Sequence, residues 1–136
     1  MPVQLPWDVL ARRDKKDSIE HVLPQTPTDA YWTTRWSPED IRVHLHDVGN
    51  LSLTFENSSY GNKSFTGKKG SAGAGACYAN SNMFMERRLA TYDDWTTVEC
   101  AARRAEIVAW ALGRWAVPPA VATPAAAEVL EDEDDE

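Results

Sequence analysis

The longest regular pattern of apolar positions lies in the segment DDWTTVECAARRAEIVAWALGRW, near the end of the chain. Apolar side chains recur there three or four residues apart, at Val98, Ala102, Ala105, Val108, Ala109, Leu112 and Trp115. This spacing puts them on one face of an α-helix, so it predicts a long helix whose Trp and Ala stripe packs in the core. Pro118 and Pro119 end the pattern, because proline lacks the N–H that continues a helix.

Two short strands are predicted earlier in the chain. In NLSLTF, residues 50–55, the apolar side chains alternate with polar ones, which is typical of a strand with one buried face. The run from Ser18 to Leu23 is the second strand candidate, and Pro24 ends it. Strands of this kind together with the long helix predict the α+β class.

Between the two strands, SPED at residues 37–40 predicts the start of a helix. Ser37 is suited to the N-cap and Pro38 to the first turn, and the two acids favour the positive end of the helix dipole. This helix is expected over Pro38 to His46, ending at Gly49. Residues 25–40 are otherwise predicted to be loop. Residues 56–76 are predicted to be irregular around a short helix, with helical structure from Tyr78.

At 136 residues the chain is predicted to form one domain. Residues 1–17 are expected to be a polar lead-in, residues 18–118 the folded domain, and residues 119–136 a low-complexity tail that stays disordered. The short lead-in is what an excised domain would have.

The net charge of −7 argues at first against a nucleic-acid partner, but the charge is unevenly placed. Seven of the 21 acidic residues lie between Glu128 and Glu136, a stretch without a basic residue. The rest of the chain carries as many acidic as basic residues and is therefore neutral. An acidic chain of this kind can still present a local basic surface.

Targeting and cysteine patterns favour a cytoplasmic protein. The sequence has no apolar run long enough for a membrane span, and its start lacks the basic-then-apolar layout of a signal peptide. Cys77 and Cys100 have no CxxC partners, which excludes a zinc ribbon and leaves one disulfide possible.

A candidate for catalysis is the pair Glu20–His21 in IEHVLPQ, which alone would be an ordinary surface pair. A neutral imidazole near pH 7 can take a proton from water, and a carboxylate with an Asn carbonyl suits Mg²⁺ or Mn²⁺. Asn50, Asn57 and Asn62 follow in order, and Asn50 can tie the intervening loop through backbone hydrogen bonds. Because successive strand residues point to opposite faces, Glu20 and His21 converge only if the chain bends there.

Basic and histidine residues near this pair allow further interpretations. Lys63, Lys68 and Lys69 could be a solvated loop, but their place after the asparagines favours contacts with phosphate. His44 and His46 form an HxH that suggests zinc, yet the cysteines are distant and lie in other predicted elements. We expect one histidine to pack against the hairpin and the other to be solvated.

The ordered set of motifs resembles the HNH (ββα-metal) nucleases, and most closely the C-terminal nuclease domain of GmrSD-type restriction endonucleases. The residues that carry the resemblance are IEHVLPQ (19–25), GNLSL (49–53), NSSYGNKSF (57–65) with Lys68, WTTVECAAR (95–103) and Trp115. The resemblance extends from Ser18 to Trp115.

This resemblance implies an HNH nuclease domain with a hairpin-helix core packed on helices, with the long helix last. His21 matches the general base, Glu20 and Asn57 the metal ligands, and Asn50 the residue that holds the hairpin. Asn62, Lys68 and Arg103 match further recurrent positions of the family, and of these Asn62 and Arg103 are expected to support the site. The Asn50–Asn57 spacing is shorter than in the family, which leaves open whether Asn57 or Asn62 reaches the metal.

The function implied is Mg²⁺- or Mn²⁺-dependent DNA cleavage in a modification-dependent phage-defence restriction system. A nucleotide-hydrolysing, modification-sensing N-terminal domain or subunit would then be a partner that this chain lacks. The alternatives are a catalytically silent DNA-binding or interaction module that keeps the hairpin, and a secreted toxin. The long Trp-rich helix and the missing terminal histidine signature disfavour the toxin.

Overall fold

The computed structural model describes residues 19–116, which form a small two-stranded sheet surrounded by helices. The strands are β1 (Ile19–His21) and β2 (Leu51–Leu53). The helices are α1 (Ala30–Arg35), α2 (Pro38–His44), α3 (Asn57–Tyr60), α4 (Phe65–Lys69), α5 (Phe84–Leu89) and α6 (Thr97–Arg114), with 3₁₀ turns at Val48–Asn50 and Tyr78–Asn80. The predicted α+β class is confirmed. The predicted lead-in (1–17) and tail (119–136) lie outside the described residues.

The two strands pair in antiparallel register although 29 residues separate them. Glu20 lies opposite Ser52 and His21 lies opposite Leu51. One further backbone bond, from Val22 N to Asn50 O at 2.9 Å, continues the pairing past β1. Both strand predictions are confirmed in position, with shorter strands than the sequence pattern indicates.

Helix α2 starts where the sequence predicts because Ser37 and Asp40 form a capping box. The helix ends at His44 rather than His46. The prediction of loop over residues 25–40 is wrong before α2, since Asp29 caps α1 by accepting a 2.8 Å bond from Tyr31 N. Helix α1 forms because Trp32 and Trp36, four residues apart, both reach the core.

The core is built mainly from aromatic side chains. Trp95 is fully buried and stacks on Phe65, with ring centroids 5.6 Å apart. The indole of Trp36 donates to the carbonyl of Trp95 at 3.0 Å, which joins the start of α2 to the start of α6. Tyr60 and Tyr78 meet edge to face at 4.9 Å beneath the sheet. These contacts fix the helices around the two strands.

Helix α6 is the predicted long helix, but the prediction that its apolar stripe is core is wrong. Val98 is 70% exposed, Leu112 62% and Trp115 60% within the described part of the chain. The side chains that α6 buries are Cys100 and Arg103. The helix packs through its first half against the Val48–Asn50 turn, so most of the stripe extends past the core.

Gly49 sets how closely this turn approaches α6. A Cβ at this position would clash with the carbonyl oxygen of Cys100 and press on the Arg104 side chain. Only glycine therefore allows the observed approach.

Cys77 and Cys100 are both buried free thiols. Within residues 19–116 there is no helix both long and apolar enough to cross a membrane.

Candidate active site

Glu20 lies on the buried side of β1 and is only 1% exposed. Its Oε1 accepts a 2.6 Å hydrogen bond from Lys68 Nζ and a 2.7 Å bond from the hydroxyl of Tyr78. Burial raises the pKa of Glu20 above its ordinary value, and the ammonium of Lys68 acts in the opposite direction. One carboxylate oxygen is thus fully engaged by the protein.

Lys68 is buried completely, so the prediction that it contacts DNA is wrong. Helix α4 directs its side chain inward, where Nζ also donates to the carbonyl oxygens of His21 at 2.8 Å and Val22 at 3.1 Å. These bonds use all three N–H groups of the ammonium. Burial lowers the pKa of Lys68, and the Glu20 carboxylate opposes that shift. Lys68 therefore positions the end of β1.

Asn57 meets the second oxygen of Glu20. One terminal atom of its side-chain amide lies 2.8 Å from Glu20 Oε2 and 3.3 Å from the carbonyl oxygen of Ile19. With the amide nitrogen in this place, Asn57 donates to both oxygens. Asn57 opens helix α3, which packs against β1. The structure thus brings Glu20 and Asn57 together, as the sequence motifs indicate.

His21 has a different set of neighbours. Its Nε2 lies 3.1 Å from Nδ1 of His46, and its Nδ1 lies 3.5 Å from the side-chain nitrogen of Gln25. Both Glu20 and His21 belong to β1, so their side chains point to opposite faces, and the chain bends only after His21. Burial, followed by His46 and Lys68, lowers the pKa of His21.

Asn50 is fully buried and ties the loop that joins the strands. Its side-chain oxygen accepts from Leu23 N at 2.7 Å, and its side-chain nitrogen donates to the carbonyls of Leu23 at 3.1 Å and Leu45 at 2.9 Å. The indole of Trp95 adds a 3.2 Å bond to the same oxygen. One amide therefore connects both ends of the loop to the core.

Arg103 supports the second strand from helix α6. Its guanidinium donates to the carbonyl oxygens of Gly49 and Leu51, both at 2.7 Å. Arg104, next to it, is exposed and lies 3.4 Å from Asp47. Of the two arginines, Arg103 is the one that holds the hairpin.

The remaining predicted site residues lie in and around α4. Asn62 and Lys63 are exposed in the segment between α3 and α4. Lys69 is half-buried and donates to the carbonyl of Tyr92 at 2.8 Å. Lys63 is therefore the most accessible of the three lysines to a phosphate, and Asn62 has no described contact with Glu20 or Asn57.

Three neighbours of the site were not identified from the sequence. Tyr78 contacts Glu20, and Tyr60 donates at 3.1 Å to a second buried carboxylate, Glu86, beside a cavity of about 270 Å³. His46 contacts His21, and its only sequence signal is the HxH. Tyr78 lies outside the quoted motifs and Tyr60 lies within NSSYGNKSF, but neither contact is visible in the sequence, because the partners of Tyr78 and Tyr60 lie 58 and 26 residues away in the chain.

Within residues 19–116, no three His, Cys, Asp or Glu side chains come close enough together to hold a metal ion. An oxygen pair from Glu20 and Asn57 is nonetheless a donor set that suits Mg²⁺, which keeps several waters and takes one or two carboxylates.

Comparison with known proteins identifies the family of the chain. A family model described as "GmrSD restriction endonucleases, C-terminal domain" matches residues 7–110. No curated protein and no solved structure matches the chain. Since the match covers well over half of the sequence, the chain belongs to the family of C-terminal domains of GmrSD restriction endonucleases.

Proposed function

We propose that this domain is a metal-dependent DNA endonuclease with a ββα-metal core formed by β1, β2 and α3. Family membership supports a restriction-endonuclease function. The observation that carries the finer proposal is the approach of Asn57 to Glu20 Oε2 at 2.8 Å, on a strand pair tied by Asn50. A carboxylate and an amide this close together could hold one cation beside a scissile phosphate through their oxygens.

Glu20 Oε2 and the side-chain oxygen of Asn57 would hold the cation, Mg²⁺ or Mn²⁺. Oxygen ligands of an octahedral Mg²⁺ sit about 2.1 Å from the ion and roughly 3 Å from each other. An amide turned so that its oxygen faces Glu20 would give this spacing, and the bound ion would remove the repulsion between the two oxygens. The ion would neutralise charge that develops on the phosphate.

His21 would be the general base. Its lowered pKa keeps the imidazole neutral at pH 7, which is the form that accepts a proton from water. Because Glu20 and His21 lie on opposite faces of β1, the scissile phosphate would cross the end of the strand, where both side chains can reach it. The carbonyls of His21 and Val22 held by Lys68 fix this end of the strand.

Lys63 and Lys69 would contact the DNA backbone, and Asn62 would support the same segment. The proposed setting is a cytoplasmic, modification-dependent phage-defence system. A nucleotide-hydrolysing and modification-sensing domain or subunit would be the partner that selects the DNA. The family's description as a C-terminal domain supports this division of labour.

One observation favours the alternative of a catalytically silent DNA-binding module. Glu20 is buried and already paired with the Lys68 ammonium, which reduces its attraction for a second cation. The endonuclease remains our proposal because Lys68 and Tyr78 both bind Oε1, which leaves Oε2 facing Asn57.

Incubation of supercoiled plasmid with Mg²⁺ or Mn²⁺ tests the two alternatives. We expect nicked or linear product that disappears with chelator and in Glu20→Gln, whereas Glu106→Gln, an exposed surface substitution, cleaves like the parent. Retention of DNA binding without metal-dependent cleavage by the parent protein would establish the silent module instead.

A further inference from the structure

The imidazole rings of His21 and His46 form a pair on the face of β1 opposite Glu20. Nε2 of His21 and Nδ1 of His46 lie 3.1 Å apart, and the ring planes are nearly perpendicular. His46 is exposed and His21 is half-buried, so both nitrogens are within reach of solvent. Two lone pairs at this distance repel each other unless a proton or a metal ion lies between them.

The spacing of the two nitrogens suits a metal ion as well as a proton. Nitrogen ligands of Zn²⁺ sit about 2.0–2.1 Å from the ion, which places two of them roughly 3 Å apart or slightly more at bond angles near 90–110°. We propose that His21 and His46 form a two-imidazole site for a late first-row transition metal ion, with Zn²⁺ as its biological ligand. Water would occupy the remaining coordination positions.

The chemistry of the nitrogen pair separates this site from the oxygen pair of Glu20 and Asn57. Imidazole favours Zn²⁺, Ni²⁺ and Cu²⁺, whereas carboxylate and amide oxygens favour Mg²⁺ and Mn²⁺. The two pairs also lie on opposite faces of β1. One domain can therefore bind a hard cation through oxygen and a softer one through nitrogen.

Gln25 gives the site a supporting contact. Its side-chain amide lies 3.5 Å from Nδ1 of His21, the nitrogen that does not face His46. With its oxygen turned toward the ring, Gln25 can accept a hydrogen bond from Nδ1–H and leave the lone pair on Nε2 for a metal ion. Metal-binding histidines commonly have such a partner for the second ring nitrogen.

The other histidine of the HxH is a matched control. The ring of His44 packs against Trp36 with centroids 5.8 Å apart, whereas the ring of His46 packs against His21. Of the two histidines in the HxH, His44 is therefore the one that does not belong to the proposed metal site. Substitutions of His44 and His46 remove the same functional group two residues apart.

The consequence of the site rests on the proposed nuclease function. A Zn²⁺ ion on Nε2 of His21 would occupy the lone pair of that nitrogen while Nδ1 carries the ring's proton, so the imidazole would have no free lone pair to accept a proton from water. Zn²⁺ would thus inhibit Mg²⁺- or Mn²⁺-dependent cleavage without displacing the catalytic ion. The same domain would then be switched off by free zinc.

Calorimetric titration of the full chain with Zn²⁺ alone, without DNA, tests the site itself. We expect His46→Ala and His21→Ala to weaken Zn²⁺ binding about tenfold or more, as loss of a residue from a metal site does. His44→Ala should stay within about twofold of the parent, and circular dichroism should show that all three variants are folded. Acidic residues and cysteines elsewhere in the chain are present in every variant, so any Zn²⁺ that they bind is the same in all of them and cancels in the comparison.

A parent-like Zn²⁺ affinity in both His21→Ala and His46→Ala would overturn the proposal. A loss of Zn²⁺ affinity in Glu20→Gln equal to the loss in the two histidine variants would also overturn it, because zinc would then occupy the oxygen pair of Glu20 and Asn57. In the cleavage assay, Zn²⁺ should inhibit the parent and His44→Ala more strongly than His46→Ala, each compared with its own zinc-free rate. The calorimetric result does not depend on DNA cleavage. Failure of the zinc-site proposal can therefore be distinguished from failure of the nuclease proposal.

Discussion

The ammonium of Lys68 lies 2.6 Å from Glu20 Oε1 and orients the carboxylate so that its other oxygen faces Asn57. A lysine expected on the DNA-binding surface is instead part of the interior, 48 residues from its partner in the chain. The ion pair fixes the end of β1 through two further backbone contacts. Stability and the geometry of the candidate site therefore depend on the same side chain.

Replacing Lys68 with Met is expected to lower the free energy of unfolding by about 3–5 kcal/mol, because the buried Glu20 charge loses its partner. Urea denaturation measures this change. Lys69→Met is the matched control, since Lys69 is half-buried and holds one carbonyl, and it should cost much less. Equal losses in the two variants would contradict the assigned role of Lys68.

His21→Ala is expected to lower the rate of plasmid cleavage by about 10²–10⁴-fold, because the proton acceptor is lost. DNA binding and the thermal midpoint should remain close to those of the parent, since the side chain is half-buried at the end of a strand. Gel quantification of nicking and a binding titration check both parts. Nicking at the parent rate would exclude His21 as the base.

The pH profile of cleavage should reflect the lowered pKa of His21. The imidazole must be neutral to accept a proton, so activity is lost as pH falls through the folded-state pKa. Because burial and His46 move this pKa below the ordinary value of 6.5, activity should persist below pH 6.5. Single-turnover rates across pH measure the midpoint, and a midpoint above 6.5 would contradict the assignment.

Asn57→Ala is expected to raise the Mn²⁺ concentration needed for half-maximal cleavage more than Asn62→Ala does. Asn57 adjoins Glu20 Oε2, whereas Asn62 is exposed between two helices. Metal titrations of the two variants under the same conditions make the comparison. If only Asn62→Ala shifts the titration, the second ligand is Asn62.

Gly49→Ala is expected to destabilise the domain by a few kcal/mol, because the added methyl group meets the backbone of α6 at Cys100. Gly113→Ala is the control: a Cβ there meets no described atom within 4 Å, and alanine favours a helix by about 0.5–1 kcal/mol over glycine. Thermal unfolding should therefore move in opposite directions for the two variants.

Local chemistry along the chain is enough to predict many of the elements. The SPED segment at residues 37–40 predicts the start of α2, because its capping box lies within four residues. The structure shows a second box of the same length, Thr96–Glu99, at the start of α6. The alternation in NLSLTF predicts β2 for the same reason. The spaced motifs also identify the family, and they contain both Glu20 and Asn57, which the structure places next to each other.

Only the tertiary structure decides which side chains are buried and what they touch. The apolar stripe of α6 predicts a core face, yet the small sheet is shorter than the helix and leaves Leu112 and Trp115 uncovered by the described residues. Lys68 looks like a surface cation until α4 turns it toward Glu20. His46 meets His21 across 25 residues because the loop tied by Asn50 folds back on β1. Helical periodicity and caps are short-range properties, whereas burial and pairing depend on packing between distant segments.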